Sequence, residues 1–170
     1  MGRHLVVMGP MGVGKTTLAE RLAAALDREL RDSDRDIEAL FGQTGREIAE
    51  TSGVEALHRL EAAVLLGALA GSTPTVIAAA GWVIEDQRCR QALARRATVV
   101  LLELPNDDLL VRKAEGDQRR PLTATEVEAL VDRRRPLFDR VADVRVDAGK
   151  HPDDLADEVL GLVTADPKPD

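Results

Sequence analysis

At 170 residues the chain is long enough for one domain with a real core, and its 44% hydrophobic content supplies one. With one Trp, two Phe and no Tyr, that core must be built of Leu, Val, Ile and Ala, and the single Cys89 excludes an internal disulfide and a cysteine zinc site. A net charge of −7 argues against a nucleic-acid-binding surface as the main business, and with no signal segment or long apolar span in view a cytoplasmic protein without membrane attachment is expected.

The first apolar run, about His4 to Met8, reads as a strand. It leads into Gly9-Pro10-Met11-Gly12-Val13-Gly14-Lys15-Thr16, which fits G-x-x-x-x-G-K-[ST]. Leu18, Leu22, Ala25 and Leu26 then recur at helical spacing, so a helix is expected from Lys15 to about Asp27. Strand, glycine loop and helix form the context that a phosphate-binding loop requires. Glycines let the backbone close around a phosphate with its N–H groups inward, and the helix N-terminus adds a positive dipole end. Gly12, Val13, Gly14, Lys15, Thr16 and Thr17 are the expected nucleotide-binding set for ATP. Lys15 can reach the β- and γ-phosphates, and the Thr16 hydroxyl can ligate Mg²⁺.

A short strand, about Glu29 to Arg31, delivers Asp32-Ser33-Asp34. Two residues apart in extended chain, the two carboxylates would point to one side. One of them could then hold Mg²⁺ through water while the other orients or deprotonates an acceptor hydroxyl. The bland alternative is a solvated acidic turn, since Asp36 lies close by. The polar segment Phe41 to Gly53 suits short helical pieces, and Leu57, Leu60 and Val64 mark one face of a helix from Val54 to about Leu69. Thr75 to Ala80 reads as a buried parallel strand. A helix near Asp86 to Arg95 and a strand Thr98 to Leu102 follow. Pro105-Asn106-Asp107 starts a helix to about Lys113, and Glu115 to Arg120 has the polar, glycine-containing character of a mobile loop.

Thr123 and Glu126 form a capping box for a helix to about Arg135. Arg134 lies seven after Val127 and four after Leu130, on the inward face, with Arg133 and Arg135 turned out. An inward Arg needs an anion, which is either a substrate or a structural partner. Arg120, in the mobile loop, can swing over a transferring phosphoryl group. Val144 to Asp147 is the last strand, Pro152 opens the last helix, and residues 166–170 are expected to be a disordered tail. The alternation argues for an α/β fold with a parallel sheet in one domain, 1–165. Ligands of such sheets bind beyond the carboxyl ends of the strands, which puts the P-loop, Asp32-Ser33-Asp34 and Ala80-Gly81-Trp82 on one rim. No acid ends the Thr75 to Ala80 strand and no guanine-reading N-K-x-D occurs, which weighs against an ATPase motor and a GTPase switch.

From His4 to about Val163 the chain resembles the shikimate kinase family, within the nucleoside-monophosphate-kinase-like P-loop kinases. The matching pieces are Gly9 to Thr16, Asp32-Ser33-Asp34, Gly53 through Glu61, Arg120-Pro121-Leu122 and Arg134 to Phe138. The resemblance implies a three-layer fold with a five-stranded parallel sheet of order 2-3-1-4-5 and a lid around 114–123. It implies that Lys15, Asp34, Arg120 and Arg134 are the catalytic and phosphate-clamping set, that Thr16 and Asp32 serve the metal, and that Lys113 and the loop Ala148 to Pro152 meet adenine. Two positions depart from the family pattern. His58 stands where the family has an Arg for the shikimate carboxylate, and Ala80-Gly81-Trp82 replaces its Gly-Gly-Gly. Either His58 or Arg59 supplies the charge and Trp82 turns away, or the acceptor differs.

The expected activity is therefore ATP- and Mg²⁺-dependent phosphoryl transfer to a small hydroxylated acceptor bound by Asp34, His58, Gly81, Trp82 and Arg134. Shikimate is the default. Another polyhydroxy acid, sugar acid or cyclitol competes with it, and a nucleotide-binding regulatory protein with a decayed acceptor site is the rival from another class. A nucleoside monophosphate kinase is the runner-up enzyme. A monomer is favoured.

Overall fold

The computed structural model describes residues 2–105, 108 and 123–165. Lys113, Arg120, all but the last residue of the expected lid, and the tail 166–170 lie outside the described residues. In chain order the elements are β1 (His4–Met8), α1 (Lys15–Leu26), β2 (Leu30–Asp32), α2 (Ser33–Phe41), α3 (Gly45–Ser52), α4 (Val54–Ala70) and β3 (Val76–Ala78). A short 3-10 helix (Gly81–Glu85), α5 (Gln87–Arg96), β4 (Ala97–Glu103), α6 (Ala124–Asp139), β5 (Val144–Asp147) and α7 (Pro152–Ala165) complete them.

The five strands pair in parallel in the order β2-β3-β1-β4-β5, as the family resemblance implies. Every residue of β1 is buried, because helices cover both faces of the sheet. Alternation then sorts its side chains. Val6 and Met8 join the layer of α4 and α5 with Leu65, Leu69 and Leu93, whereas Leu5 and Val7 join the layer of α1 and α7 with Leu18, Leu22 and Val159. A third, smaller cluster, Ile37, Ile48, Leu57 and Val64, ties α2 and α3 onto α4. Burial of that cluster is what fixes the polar segment after β2, which alone has little apolar surface.

Three local expectations are corrected. The chain after β2 is helical rather than extended: Asp32 ends the strand and caps α2, so Asp34 sits in the first helical turn. The third strand is shorter than Thr75 to Ala80, because Gly81 starts the 3-10 helix soon after it. The helix that opens at the Thr123 capping box runs through Pro136 to Asp139 instead of ending near Arg135. Pro136 cannot donate to the Asp132 carbonyl, but both residues are exposed, so water can satisfy that oxygen. Continuing the helix buries Phe138 and packs Leu137 against the α4–α5 layer, which outweighs one lost bond.

Candidate functional site

The sheet order reverses at β1, and the loop that leaves β1 crosses the carboxyl edge there. Gly9 makes the exit with φ 148°. A Cβ on Gly9 would lie 2.6 Å from the Leu102 carbonyl oxygen, so only glycine lets the loop pass β4. Gly14, at φ 103°, is the N-cap of α1. No side chain caps that helix and its first turn holds no acid, so its positive dipole end faces the loop without an acidic neighbour on its own first turn. The Val13 side chain is buried, and its N–H donates to the Pro10 carbonyl at 3.3 Å, which anchors the loop. Lys15 Nζ donates to the carbonyls of Gly9 and Pro10, each at 3.0 Å, so its ammonium lies over the loop that its own helix closes. Thr17 is exposed on the first turn of α1.

Asp32 joins this loop to β2. Thr16 Oγ1 donates to Asp32 Oδ2 at 2.6 Å. Asp32 Oδ1 accepts the N–H groups of Asp34 at 3.0 Å and Arg35 at 3.3 Å. The residue is 6% exposed, so those bonds hold a buried carboxylate in one orientation. Asp34 is exposed in the first turn of α2, where an acid favours the helix dipole. The two acids share the rim because one caps the other's helix, not because they alternate along an extended strand. Among the described residues no three His, Cys, Asp or Glu side chains converge as a protein-only metal cage. A hydroxyl and a carboxylate beside a phosphate loop fit Mg²⁺, which keeps several waters and draws other ligands from substrate phosphates.

The other end of the site is built from the 3-10 helix, α4 and α6. α6 turns Arg134 inward, with 13% of its side chain exposed, and turns Arg133 and Arg135 out. Arg134 Nε donates to Glu85 Oε1 at 2.7 Å, and Arg133 Nη2 donates to the same oxygen at 2.8 Å. Burial alone would raise the Glu85 carboxyl, but the hydrogen bonds and charges of Arg134 and Arg133 outweigh it and hold the group below its ordinary value. A Cβ on Gly81 would meet the Gly9 carbonyl oxygen at 3.2 Å and Arg134 Nη1 at 3.3 Å. Gly81 thus brings the P-loop and Arg134 together.

The two departures from the family pattern touch each other. The rings of His58 and Trp82 stack with centroids 4.2 Å apart and planes 8° from parallel. Trp82 therefore does not stand alone, and Arg59 is exposed. A cavity of about 640 Å³ opens beside the P-loop tip, lined among the described residues by Pro10, Met11, the end of β4, α6 from Val127 to Phe138, and β5 from Arg145 to Asp147. Glu85 was not singled out from the sequence. Its partners lie 48 and 49 residues away, and no local spacing announces such a pair.

A glycine loop of this kind, placed at the centre of a 2-3-1-4-5 parallel sheet with Lys15 and Thr16 at its mouth, defines a P-loop kinase. Comparison with known proteins narrows the class. The shikimate kinase family model matches residues 11–164, and the chain belongs to that family. A shikimate kinase from Shewanella amazonensis is 36% identical over 149 residues, covering 85% of this chain and 86% of the relative. Shikimate kinase 1 of Erwinia tasmaniensis is 33% identical over 150 residues, with the same coverage. Among solved structures, a shikimate kinase from Acinetobacter baumannii in complex with shikimate superposes with a TM-score of 0.89 at 32% identity, covering 97% of this chain and 94% of that one. The protein is a small-molecule kinase that transfers phosphate to a hydroxyl. Its family uses ATP as the phosphoryl donor. Among the described residues, no helix is long and apolar enough to cross a membrane.

Proposed function

We propose that this protein phosphorylates a hydroxyl of shikimate with ATP and Mg²⁺. The observation that carries the reading is the contiguity of Lys15, Thr16 and Asp32 at the mouth of the P-loop, in a chain that belongs to the shikimate kinase family. The amides of Gly12 to Thr17 cradle the phosphates at the N-terminus of α1. Lys15 exchanges the Gly9 and Pro10 carbonyls for phosphate oxygens, which are stronger partners for an ammonium. Thr16 would hold Mg²⁺ directly and Asp32 through water, and the ion, when bound, neutralises charge on the phosphates.

Asp34 accepts the hydrogen of the acceptor hydroxyl and aims it at the γ-phosphorus. Arg134 stands across the rim, beside Gly81 and the P-loop, where it offsets negative charge on the phosphoryl group or the acceptor. His58, Gly81 and Trp82 form the acceptor wall. Arg120 joins the clamp from a lid spanning about 114–123, and Lys113 packs on adenine. The kinase domain is 1–165, with a disordered tail at 166–170, and the enzyme works as a cytoplasmic monomer that binds neither nucleic acid nor membrane.

A coupled ADP-release screen across shikimate, sugar acids, cyclitols and nucleoside monophosphates tests the reading. Shikimate-dependent release supports it. Turnover of another acceptor class with none on shikimate overturns it, and no turnover with any of them points to a regulatory role.

A further inference from the structure

Arg134 is a partly buried cation at the end of the site beside Gly81, and its charge is already engaged. A guanidinium offers two bidentate faces, one through Nε with an Nη and one through both Nη atoms. Glu85 takes the Nε of Arg134 at 2.7 Å. Arg134 Nη1 lies beside Gly81, 3.3 Å from where a Cβ would stand there. Glu85 also draws Arg133 to the same oxygen, so two guanidinium groups share one carboxylate. Against the effect of burial, those two guanidinium groups hold the Glu85 carboxyl below its ordinary value.

The element that supplies Glu85 is only five residues long. A 3-10 helix has three residues per turn, so Trp82 and Glu85 fall on one side of it. Trp82 stacks on His58 of α4, and Glu85 grips Arg134 of α6. Both basic side chains of the acceptor wall are thus engaged by the same short helix. An acceptor that carries a carboxylate would have to bind Arg134 beside a fixed negative charge, while one without a carboxylate would not.

We infer that Glu85 is a positioning residue that sets acceptor selectivity: by occupying the Nε edge of Arg134 it weakens recognition of a carboxylate-bearing acceptor relative to a neutral one. The inference rests on the reading of Arg134 as an acceptor-side residue. Glu85 acts through Arg134 and touches no reacting atom.

The chain's single tryptophan, Trp82, lies three residues from Glu85 and reports binding through its fluorescence. Dissociation constants for shikimate, its methyl ester and benzoate are measured by that signal for wild type, Glu85→Gln and Glu85→Asp, alongside the KM for ATP. Glu85→Gln is expected to bind shikimate and benzoate roughly tenfold tighter, the scale of one charge-assisted contact. The ester shifts less than twofold, the KM for ATP stays in place, and Glu85→Asp falls between. Adding Arg134→Gln to Glu85→Gln cancels the gain. A purely structural pair gives the opposite pattern, with weaker binding of acid and ester alike, and that result overturns the inference. No gain for either carboxylate also overturns it. Benzoate binding needs no turnover, so failure of shikimate as the substrate remains distinguishable from failure of the role given to Glu85.

Discussion

Asp32 has two separable duties, and two substitutions divide them. Its Oδ1 caps α2 by accepting from Asp34 and Arg35, and its Oδ2 accepts from Thr16. Asp32→Ala removes both. Loss of an N-cap costs about 0.5–2 kcal/mol. Loss of a hydrogen bond to a charged group costs about 1.5–3 kcal/mol. The buried Thr16–α2 junction should therefore lose about 2–5 kcal/mol, which lowers Tm by about 4–20 °C for a chain of this size. Asp32→Asn keeps an oxygen for the two amides and places an NH₂ group at the Thr16 hydroxyl, which can reverse its role and accept. That variant should stay within about 1 kcal/mol of wild type. It lacks the charge proposed to serve the metal, so on that reading its turnover should fall by about 10²–10³. Urea unfolding and a coupled ADP-release assay on the same preparations read both effects. If Asp32→Asn is as unstable as Asp32→Ala, the capping geometry is wrong. If it turns over like wild type, Asp32 has no role at the metal.

Lys15→Ala should cut turnover by about 10²–10³ in the same assay while the circular-dichroism spectrum is unchanged, since one preorganised charge is worth about 3–4 kcal/mol in the transition state; near-normal turnover would remove Lys15 from the mechanism. His4 is buried, with Nδ1 accepting from the Thr75 N–H and Nε2 set to donate to the Gly71 carbonyl, and burial, aided by the charges of Arg96 and Arg28, pulls it below its ordinary 6.5. The unfolded chain then binds more protons as pH falls through 6.5, so stability holds above that pH and declines below it. Urea unfolding at about pH 7.5 and about pH 5.5 should show this loss in wild type and a smaller one in His4→Leu, and equal losses would contradict it. Burial pushes the Cys89 thiol up to about 12, so a thiol reagent should label the chain only after unfolding, and rapid native labelling would contradict its place in the core.

What could be read from the sequence was local or periodic. The P-loop declares itself in eight consecutive residues, because each glycine, the lysine and the threonine have separate physical jobs. Arg134 declares itself by its distance from Val127 and Leu130 on one helix face. The strand positions follow from apolar runs that only a sheet covered on both faces can bury. The alternation argument for Asp34 fails because side-chain capping by Asp32 ends the strand two residues before Asp34. Pro136 misled because a proline stops a helix only where nothing beyond it rewards continuing, and Phe138 rewards it here. The Glu85–Arg134 pair and the His58–Trp82 stack were illegible, because each joins residues that only the folded sheet brings together. Each of the two departures at the acceptor end looked like an isolated anomaly in the chain, and the structure joins them in a single contact.

The central claim is that this site moves a phosphoryl group from ATP to a shikimate hydroxyl. Phosphorus NMR of a single reaction containing the enzyme, ATP, Mg²⁺ and shikimate tests it most directly. The account predicts that the γ-phosphate signal is replaced by ADP and one new phosphate monoester in equal amounts, and that both form about 10²–10³ times more slowly with Lys15→Ala. ADP accompanied only by inorganic phosphate, or an unchanged ATP spectrum with the wild-type enzyme, would contradict it.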